Sequence, residues 1–296
     1  MKNKLFAAVA SVGLLAGAQS VLAQDTVNIT TTSVADNIYM LKGKGGNIGL
    51  FVGDDGSFIV DDQFAPLTGK ILEAIKAVGG DMPKYLINTH FHGDHTGGNE
   101  NLGNNGTLIV SHDNVRQRLK EGSFIKAFGM KSEPANKAAL PAMTFSETMH
   151  FHINGDSVNA IHVPNAHTDG DSIIHFKKAN VVHAGDVFFN GFYPFIDADH
   201  GGSLKGTIKA TDAILAITDV SSKIIPGHGP LANKAQLQAY RDMLQTAYTR
   251  LVTLKNQGVS AEDAIAKKPL ADLEAKWGNG IFTGDKWIGI VYPAVN

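Results

Sequence analysis

Short apolar runs with strand character alternate with stretches of helical spacing along the chain, and clusters of Gly, Asn and Asp separate them. In the first half, residues 49–52 and 57–61 flank Gly-Asp-Asp-Gly at 53–56, which predicts a β-hairpin turn. Apolar residues at helical spacing then follow Pro66 and stop at Gly79, which predicts a helix. Strands that alternate with helices in this way predict an α/β fold.

The second half of the chain repeats the plan of a sheet followed by helices. Strands are predicted at residues 149–153, 157–163, 172–176, 181–184 and 223–225, and helices at 204–217, at 234–256 and from 261 onward. The stretch 122–143 is polar, carries Pro134 and Pro141 and lacks a convincing period. It is therefore predicted to connect the two halves.

One motif in the first half is rich in metal-ligand residue types. A predicted strand leads directly into Thr-His-Phe-His-Gly-Asp-His-Thr-Gly-Gly at residues 89–98. His90 and His92 are two residues apart on an extended segment, so both imidazoles point the same way and can reach one ion. Asp94 and His95 lie where the chain turns into a helix and can reach a second ion nearby. This motif is the strongest functional signal in the sequence.

Three further residues of ligand type lie at the ends of predicted strands: His167, Asp186 and His228. Each has a Gly within three positions, and each alone would be interpreted as a turn residue. Their order after the first motif gives them weight, because together they supply the side chains that two ions need.

With these motifs, the chain resembles the metallo-β-lactamase superfamily from about Ile38 to about Pro230. The resemblance implies a four-layer αββα sandwich with the site along the shared sheet edge. The ligands it implies are His90, His92 and His167 for one ion, Asp94, His95 and His228 for the other, and Asp186 as the bridge. It also implies that Asp61 supports the metal loop from behind the ligands. A charged strand end is nearly as good an interpretation of Asp61.

One departure from the family pattern concerns Asp186. Many β-lactamases of this fold have Cys or another non-bridging arrangement at that position. The Asp form resembles the broader hydrolases of the superfamily, including thioesterases of the glyoxalase II type and lactonases. The resemblance therefore leaves β-lactam hydrolysis open beside these two alternatives.

The implied chemistry is hydrolysis of an amide or ester-type acyl bond of a small-molecule substrate. Two divalent ions would lower the pKa of a shared water from 15.7 toward about 7, giving a metal-bound hydroxide. Asp94 would be both a ligand and the group that orients this hydroxide. Zinc is favoured for a site of imidazoles and carboxylates, although iron or manganese would be accepted. A diiron redox protein of the same fold, or a protein that only binds metal, remains open.

The loop after Asp186 is unusually aromatic for a segment that leaves a metal site. Phe192, Tyr193 and Asn190 are predicted to line the substrate pocket, whereas Phe188 and its neighbour Phe189 are interpreted as a hydrophobic plug. The Gly-rich turn at residues 42–47 is predicted to be a flexible flap over the ligand.

Several other histidines lack a ligand pattern around them. His150 and His152 lie inside a predicted strand with no Asp-His following, and are interpreted as a structural pair. The same interpretation holds for His112, His162, His175 and His183. His200, in the loop that follows Asp186, is a weaker candidate for the pocket.

The first 23 residues have the layout of a cleavable secretory signal. Lys2 and Lys4 precede an apolar stretch at 5–18, which is shorter than the roughly 20 residues that span a bilayer, and Ala23 ends a small-residue site. Residues 24–296 are then one hydrolase domain, with C-terminal helices from about 233. We expect a periplasmic or secreted protein that does not associate with a membrane after cleavage, because no other apolar stretch is long enough.

Composition narrows the partners and the ligand types. Removing the signal lowers the count of basic residues from 26 to 24 against 28 acidic ones, and a net charge near −4 argues against nucleic-acid binding. The chain has no cysteine. Disulfides are excluded, and any metal must be held by His, Asp or Glu.

Overall fold

The computed structural model describes residues 27–295, so the predicted signal peptide lies outside the described residues. Two β-sheets form the centre of the fold. The first contains, in spatial order, β1 (Thr30–Ala35), β2 (Ile38–Lys42), β3 (Ile48–Phe51), β4 (Phe58–Val60), β5 (Tyr85–Asn88), β6 (Leu108–His112) and β9 (Met143–Phe145). The second contains β10 (Thr148–Ile153), β11 (Asp156–His162), β12 (Ser172–Phe176), β13 (Val181–His183), β14 (Lys223–Ile225) and β15 (Ala232–Asn233). A separate antiparallel hairpin is formed by β7 (Ser123–Ile125) and β8 (Met130–Ser132).

Helices occupy the connections between strands and the C-terminal part of the chain. They are α1 (Thr68–Ala77), α2 (Gly93–Thr96), α3 (Asn99–Asn104), α4 (Asp113–Glu121), α5 (Leu204–Ala216), α6 (Lys234–Asn256), α7 (Ala261–Ala266), α8 (Glu274–Trp277) and α9 (Gly284–Val291). Short 3₁₀ turns lie at Ala65–Leu67, Lys126–Phe128, Lys137–Ala139, Gly185–Val187, Ala198–His200 and Tyr292–Ala294. No helix within residues 27–295 is long and apolar enough to cross a membrane.

Strand side chains alternate between two apolar interfaces, and this alternation builds the layers. In β4, Phe58 and Val60 join a core that lies between the two sheets, whereas Ile59 packs with α1 on the outer face. In β12, Ile174 belongs to the same core between the sheets, and Ile173 packs on the outer face with α5 and α6. The order of layers is helix, sheet, sheet, helix, so the predicted αββα sandwich is confirmed.

The sheet edge that carries the site follows from strand direction. In the first sheet β4, β5 and β6 are parallel, and in the second β13 and β14 are parallel. The carboxyl ends of parallel strands meet at one edge, where loops can bring their side chains together. The metal-ligand motifs follow β5, β13 and β14 at this edge, and His167 lies in the loop that enters β12 beside them.

The prediction that residues 122–143 connect the two halves is wrong. This stretch forms the β7–β8 hairpin and then returns to the first sheet through β9, which pairs with β6. The two sheets are instead joined by Ser146 and Glu147, between β9 and β10. β7 and β8, in which Ile125 pairs with Met130, have only three residues each. Strands this short show no readable alternation, which explains why the sequence did not predict the hairpin.

Candidate metal centre

Seven side chains of ligand type meet at the shared edge of the sheets and form two groups. In each group the candidate ligand atoms lie within 4.8 Å of one another. The first ligand group is His90, His92, His167 and Asp186, and the second ligand group is Asp94, His95 and His228. The structure thus brings together all seven side chains singled out from the sequence, in the grouping that the family resemblance implies.

The carboxylate of Asp186 lies between the two groups, with one oxygen toward each. Its Oδ2 atom is 3.8 Å from Nε2 of His90 and 3.5 Å from Nε2 of His167. Its Oδ1 atom is 3.0 Å from Nε2 of His95 and 3.4 Å from Nε2 of His228. A carboxylate in this position can bridge two cations.

Asp94 completes the second group from the opposite side. Its Oδ2 atom is 3.2 Å from Nε2 of His228 and 3.7 Å from Nε2 of His95. Its side chain keeps 28% exposure, whereas the His95 side chain is fully buried. Asp94 therefore combines contact with the candidate ligands and contact with solvent.

The side chains of the first ligand group leave a hydrogen-bonding atom without a partner among the described residues, and a metal ion would fill that place. The Nε2 atom of His90 is buried and has no hydrogen-bond partner. Buried polar atoms normally have a partner, because an unpaired one loses its hydration without compensation. Imidazoles and carboxylates are ligands of divalent zinc, iron and manganese. An ion within the first ligand group would supply the partner that His90 lacks.

Electrostatics separate the two groups. Burial lowers the pKa of His90 well below its ordinary value and that of His167 to about 4, so both imidazoles favour the neutral form that binds metal. Burial also acts to lower the pKa of His95 and of His228, but the nearby carboxylates, chiefly Asp186, outweigh this effect. They raise the pKa of His95 well above its ordinary value and that of His228 to about 9. The carboxylates favour positive charge here, which divalent cations would supply.

Asp61 holds the histidine loop from behind. One of its carboxylate oxygens accepts a hydrogen bond from the backbone N–H of Thr89 at 2.8 Å, and the other accepts one from the Thr89 hydroxyl at 2.7 Å. The second oxygen also lies 2.7 Å from Nδ1 of His95, which leaves Nε2 directed at the site. Asp61 has a left-handed φ of 61°, rare for a residue other than glycine. Its position matches the role that the resemblance implied.

Asp197 plays a similar part for His92, and sequence reasoning missed it. Its Oδ2 atom lies 3.0 Å from Nε2 of His92 and 2.7 Å from Nδ1 of His200. Metal-binding histidines commonly give their second ring nitrogen to a carboxylate, which fixes the tautomer and the ring orientation. His200, a weak pocket candidate from the sequence, supports this carboxylate and does not line the pocket. An acid three residues before a histidine, in the loop after Asp186, was the available signal.

The turn at residues 42–47 packs beneath the second ligand group, so the prediction of a flexible flap is wrong. The backbone N–H of Gly46 donates to the carbonyl of Asp94 at 3.0 Å. A Cβ atom at Gly46 would lie 2.1 Å from the His95 ring. The side-chain amide of Asn47 donates to the carbonyls of Pro226 and Gly229, which flank His228. The turn therefore braces two ligand loops.

A cavity of about 200 Å³ opens above the candidate metal centre. Its floor contains His92, Asp94, Asp186 and His228, and the backbone of Gly93. The remaining lining residues are Phe64, Ile125, Phe128, Met130, Phe189, Phe195 and Ile281. The sequence offered no signal for those from the β7–β8 hairpin and from the segment before α9, because they are far from the ligands along the chain.

None of the three residues predicted to line this cavity does so. Tyr193 is fully buried, and its ring stacks on Trp287 at 4.8 Å. Phe192 packs edge-on against Phe189, and the Asn190 amide donates to the Pro230 carbonyl. Phe189, interpreted as a plug, stacks on the ring of His228 at 5.0 Å and lines the cavity. Phe188 is buried as predicted, and its ring lies 5.0 Å from that of Tyr240 in α6. The C-terminal helices α6 and α9 therefore cover Phe188 and Tyr193, whereas Phe189 faces the cavity.

The other histidines belong to neither ligand group among the described residues. His150 and His152 lie on β10, at the edge of the second sheet, and His150 contacts Asn159 at 2.7 Å. His112 stacks on His162 with ring centroids 3.8 Å apart. Nε2 of His183 lies 3.0 Å from the Asn47 carbonyl. These contacts are structural, and His175 is half-buried on β12.

A family model described as metallo-beta-lactamase superfamily matches residues 41–228, and the chain belongs to this superfamily. The fold is similar to the crystal structure of DIM-1 metallo-beta-lactamase, with a TM-score of 0.60 and 16% identity over 75% of this chain and 99% of that one. It is equally similar to a metallo-beta-lactamase from Pontibacter korlensis, with a TM-score of 0.60 and 16% identity over 74% and 99%. At this identity the likeness shows the fold alone. No curated protein matches the chain.

Proposed function

We propose that the protein is a dinuclear metal-dependent hydrolase that cleaves acyl bonds of the amide or ester type in small molecules. The observation that carries this proposal is the Asp186 carboxylate, which directs one oxygen to each ligand group. A protein that binds a single ion has no need for a second complete group on the far side of that carboxylate.

Two bound cations would supply Lewis acidity, lowering the pKa of a shared water and polarising the acyl oxygen. His90, His92 and His167 would hold one cation and Asp94, His95 and His228 the other. Zinc is the ion we favour, because the donor set is rich in imidazole and the proposed hydrolysis needs a Lewis acid without redox chemistry.

Asp94 is the residue of the chain that we propose to act on the reacting water. It lines the cavity, and His95 and His228 outweigh the effect of burial and hold its pKa at about 2. Its carboxylate is therefore ionised at neutral pH and can accept a hydrogen bond from the reacting water. In hydrolysis the water oxygen bonds to the acyl carbon, the acyl bond to oxygen, nitrogen or sulfur breaks, and the leaving atom gains a proton.

The test combines metal content with a substrate panel. We expect about two equivalents of zinc per chain by elemental analysis, and hydrolysis of at least one of a β-lactam, a lactone, a thioester or a simple ester. Asp186→Asn should retain at most one equivalent and lose activity. A double variant, His150→Ala with His152→Ala, removes a second His-x-His pair outside the site and should keep both metal and activity.

Two results would contradict the proposal. One is a single equivalent of metal in the active wild-type protein. The other is an iron-loaded protein that consumes oxygen and hydrolyses nothing in the panel, which would favour a redox protein of the same fold.

A further inference from the structure

Charge in the cavity above the metal centre is confined to its floor. Asp94 and Asp186 are its only carboxylates within the described residues, and no lysine or arginine lines it there. The side chains above the floor are all apolar. A substrate that extends upward from the metal centre therefore contacts only apolar side chains once it has passed the floor.

Aromatic contacts continue from the ligands to the protein surface. Phe195 stacks on the His92 ring with centroids 5.8 Å apart. Phe128, from the hairpin, lies 4.9 Å from Phe195 and stacks on Phe282 at 5.9 Å. We call Phe195 and Phe128, which line the cavity, the apolar wall, and Phe282 packs on Phe128 outside the cavity lining. The apolar wall joins the loop after Asp186 to the hairpin, and Phe282 extends these contacts to the segment before α9.

The mouth of the cavity exposes large apolar side chains to solvent. Phe128 is 42% exposed, Met130 51% and Ile281 46%. Water contact with apolar surface is unfavourable, and a contiguous apolar patch beside a cleft commonly marks a ligand site. These three residues surround the entrance to the metal centre, so an apolar ligand group at the entrance would cover them.

Both lysines of the β7–β8 hairpin are paired with carboxylates, and neither lines the cavity. Lys126 lies 3.0 Å from Asp199, and Lys131 lies 2.7 Å from Glu133. Successive side chains of a strand point to opposite faces, so Lys131 of β8 faces away when Met130 lines the cavity. A carboxylate on the apolar part of a substrate would find no counter-charge above the floor and would lose hydration.

We propose that the substrate is an uncharged ester, lactone or amide whose acyl group carries an alkyl or aryl chain, and that this chain lies along the apolar wall. This inference rests on the proposed hydrolase function. Water adds to the acyl carbon and the acyl bond breaks. An ester or amide then gives a carboxylic acid with the chain attached and a separate alcohol or amine, whereas a lactone opens to a single hydroxy acid.

A matched series of 4-nitrophenyl esters tests the proposal on the zinc-loaded protein. We expect kcat/KM to rise from the acetate to the hexanoate and octanoate, by up to about fourfold for each methylene that the wall buries. The mono-4-nitrophenyl ester of suberic acid has the same chain length as the octanoate but ends in a carboxylate. We expect its kcat/KM to be at least about tenfold lower.

Charge-matched variants locate the effect. Ile281→Asp should lower the ratio of kcat/KM for the octanoate to kcat/KM for the acetate by at least about tenfold. Phe124→Asp places the same charge on the hairpin, at a residue that is 51% exposed and does not line the cavity, and should leave this ratio unchanged. Met130→Lys should narrow the difference between octanoate and suberate esters by up to about fivefold, because it supplies a cation at the mouth.

A binding measurement removes the dependence on turnover. N-phenyl-1-naphthylamine is an uncharged aromatic probe that fluoresces in apolar surroundings. We expect it to bind the chelator-treated protein and the Phe124→Asp variant equally, and the Ile281→Asp variant at least about tenfold more weakly.

The two proposals fail in different ways. Equal kcat/KM for the octanoate and suberate esters, or probe binding that is unchanged in Ile281→Asp, would overturn the assignment of the substrate class while leaving a hydrolase. Failure of all esters, lactones and amides on a protein with two zinc ions would overturn the hydrolase function itself, whatever the probe shows.

Discussion

Asp197 is the side chain that ties the loop after Asp186 to the first ligand group, through its contact with Nε2 of His92. Replacing it with alanine leaves His92 free to rotate and to change tautomer. We expect Asp197→Ala to weaken metal binding by about 10- to 100-fold, the usual effect of losing such a partner. Competition with a chelator of known affinity measures the change.

Asp199 provides the matched control for that experiment. It lies two residues further on and pairs with Lys126 at the surface. Asp199→Ala should keep the wild-type metal affinity. Asp197→Asn retains an acceptor oxygen, so its metal affinity should lie between those of Asp197→Ala and the wild type. An Asp197→Ala protein that competes with the chelator as well as wild type would show that Asp197 does not position His92.

The local sequence pattern predicted the candidate metal ligands but not the side chains, such as Asp197, that hold them in place. His90, His92, Asp94 and His95 follow one strand within six positions, so a chemical motif is visible without any tertiary information. Asp197 supports His92 from more than a hundred residues away along the chain. The one local signal, a histidine three residues further on at His200, does not by itself distinguish Asp197 from an acid in an ordinary loop, because the role of Asp197 is created by folding.

At the scale of elements, the turn between β2 and β3 is fitted against the second ligand group. Gly46 leaves no space for a side chain, since an added Cβ would lie 2.1 Å from the His95 ring. We expect Gly46→Ala to lower the free energy of unfolding by about 1–3 kcal/mol through overpacking, and to weaken metal binding by displacing His95. Urea denaturation and metal titration measure the two effects.

Gly69 in α1 is the control for this substitution. Gly69 is the second residue of α1, an added Cβ there meets nothing within 4 Å, and alanine has a higher helix propensity than glycine. Gly69→Ala should therefore not lower the free energy of unfolding, and should raise it by up to about 1 kcal/mol. If Gly46→Ala were as stable as Gly69→Ala, the close contact with His95 would not constrain the turn.

Several regular elements were predictable from the local apolar pattern alone. The predicted helix at 234–256 has the bounds of α6, and the strand at 172–176 has those of β12. The turn at 42–47 was mistaken for a flap because glycine has two opposite uses, freedom to move and room for a close neighbour. Only the position of His95 decides between them, and that position is a tertiary fact.

At the scale of the whole molecule, the ligand groups draw on both sheets. His90 and His95 follow the first sheet, whereas Asp186 and His228 follow the second. The family resemblance predicted this arrangement, since strand order alone could not say which edges face each other. The substrate cavity was less predictable, because it depends on how the hairpin and the segment around Ile281 fold over that edge.

The candidate ligands come from both sheets, so they meet only when the chain is folded, and the unfolded chain should bind metal weakly. A ligand that binds only the native state stabilises it by about 4 kcal/mol at a thousandfold excess over its dissociation constant. For a domain of this size we expect chelation to lower the Tm by roughly 10 °C, measured by calorimetry with zinc and with chelator. Asp186→Asn should lose most of this shift, because it weakens the carboxylate shared by the two groups, while the His150→Ala, His152→Ala protein keeps it. An equal Tm with and without chelator, in a protein shown to release its zinc, would mean that the ions do not join the two halves.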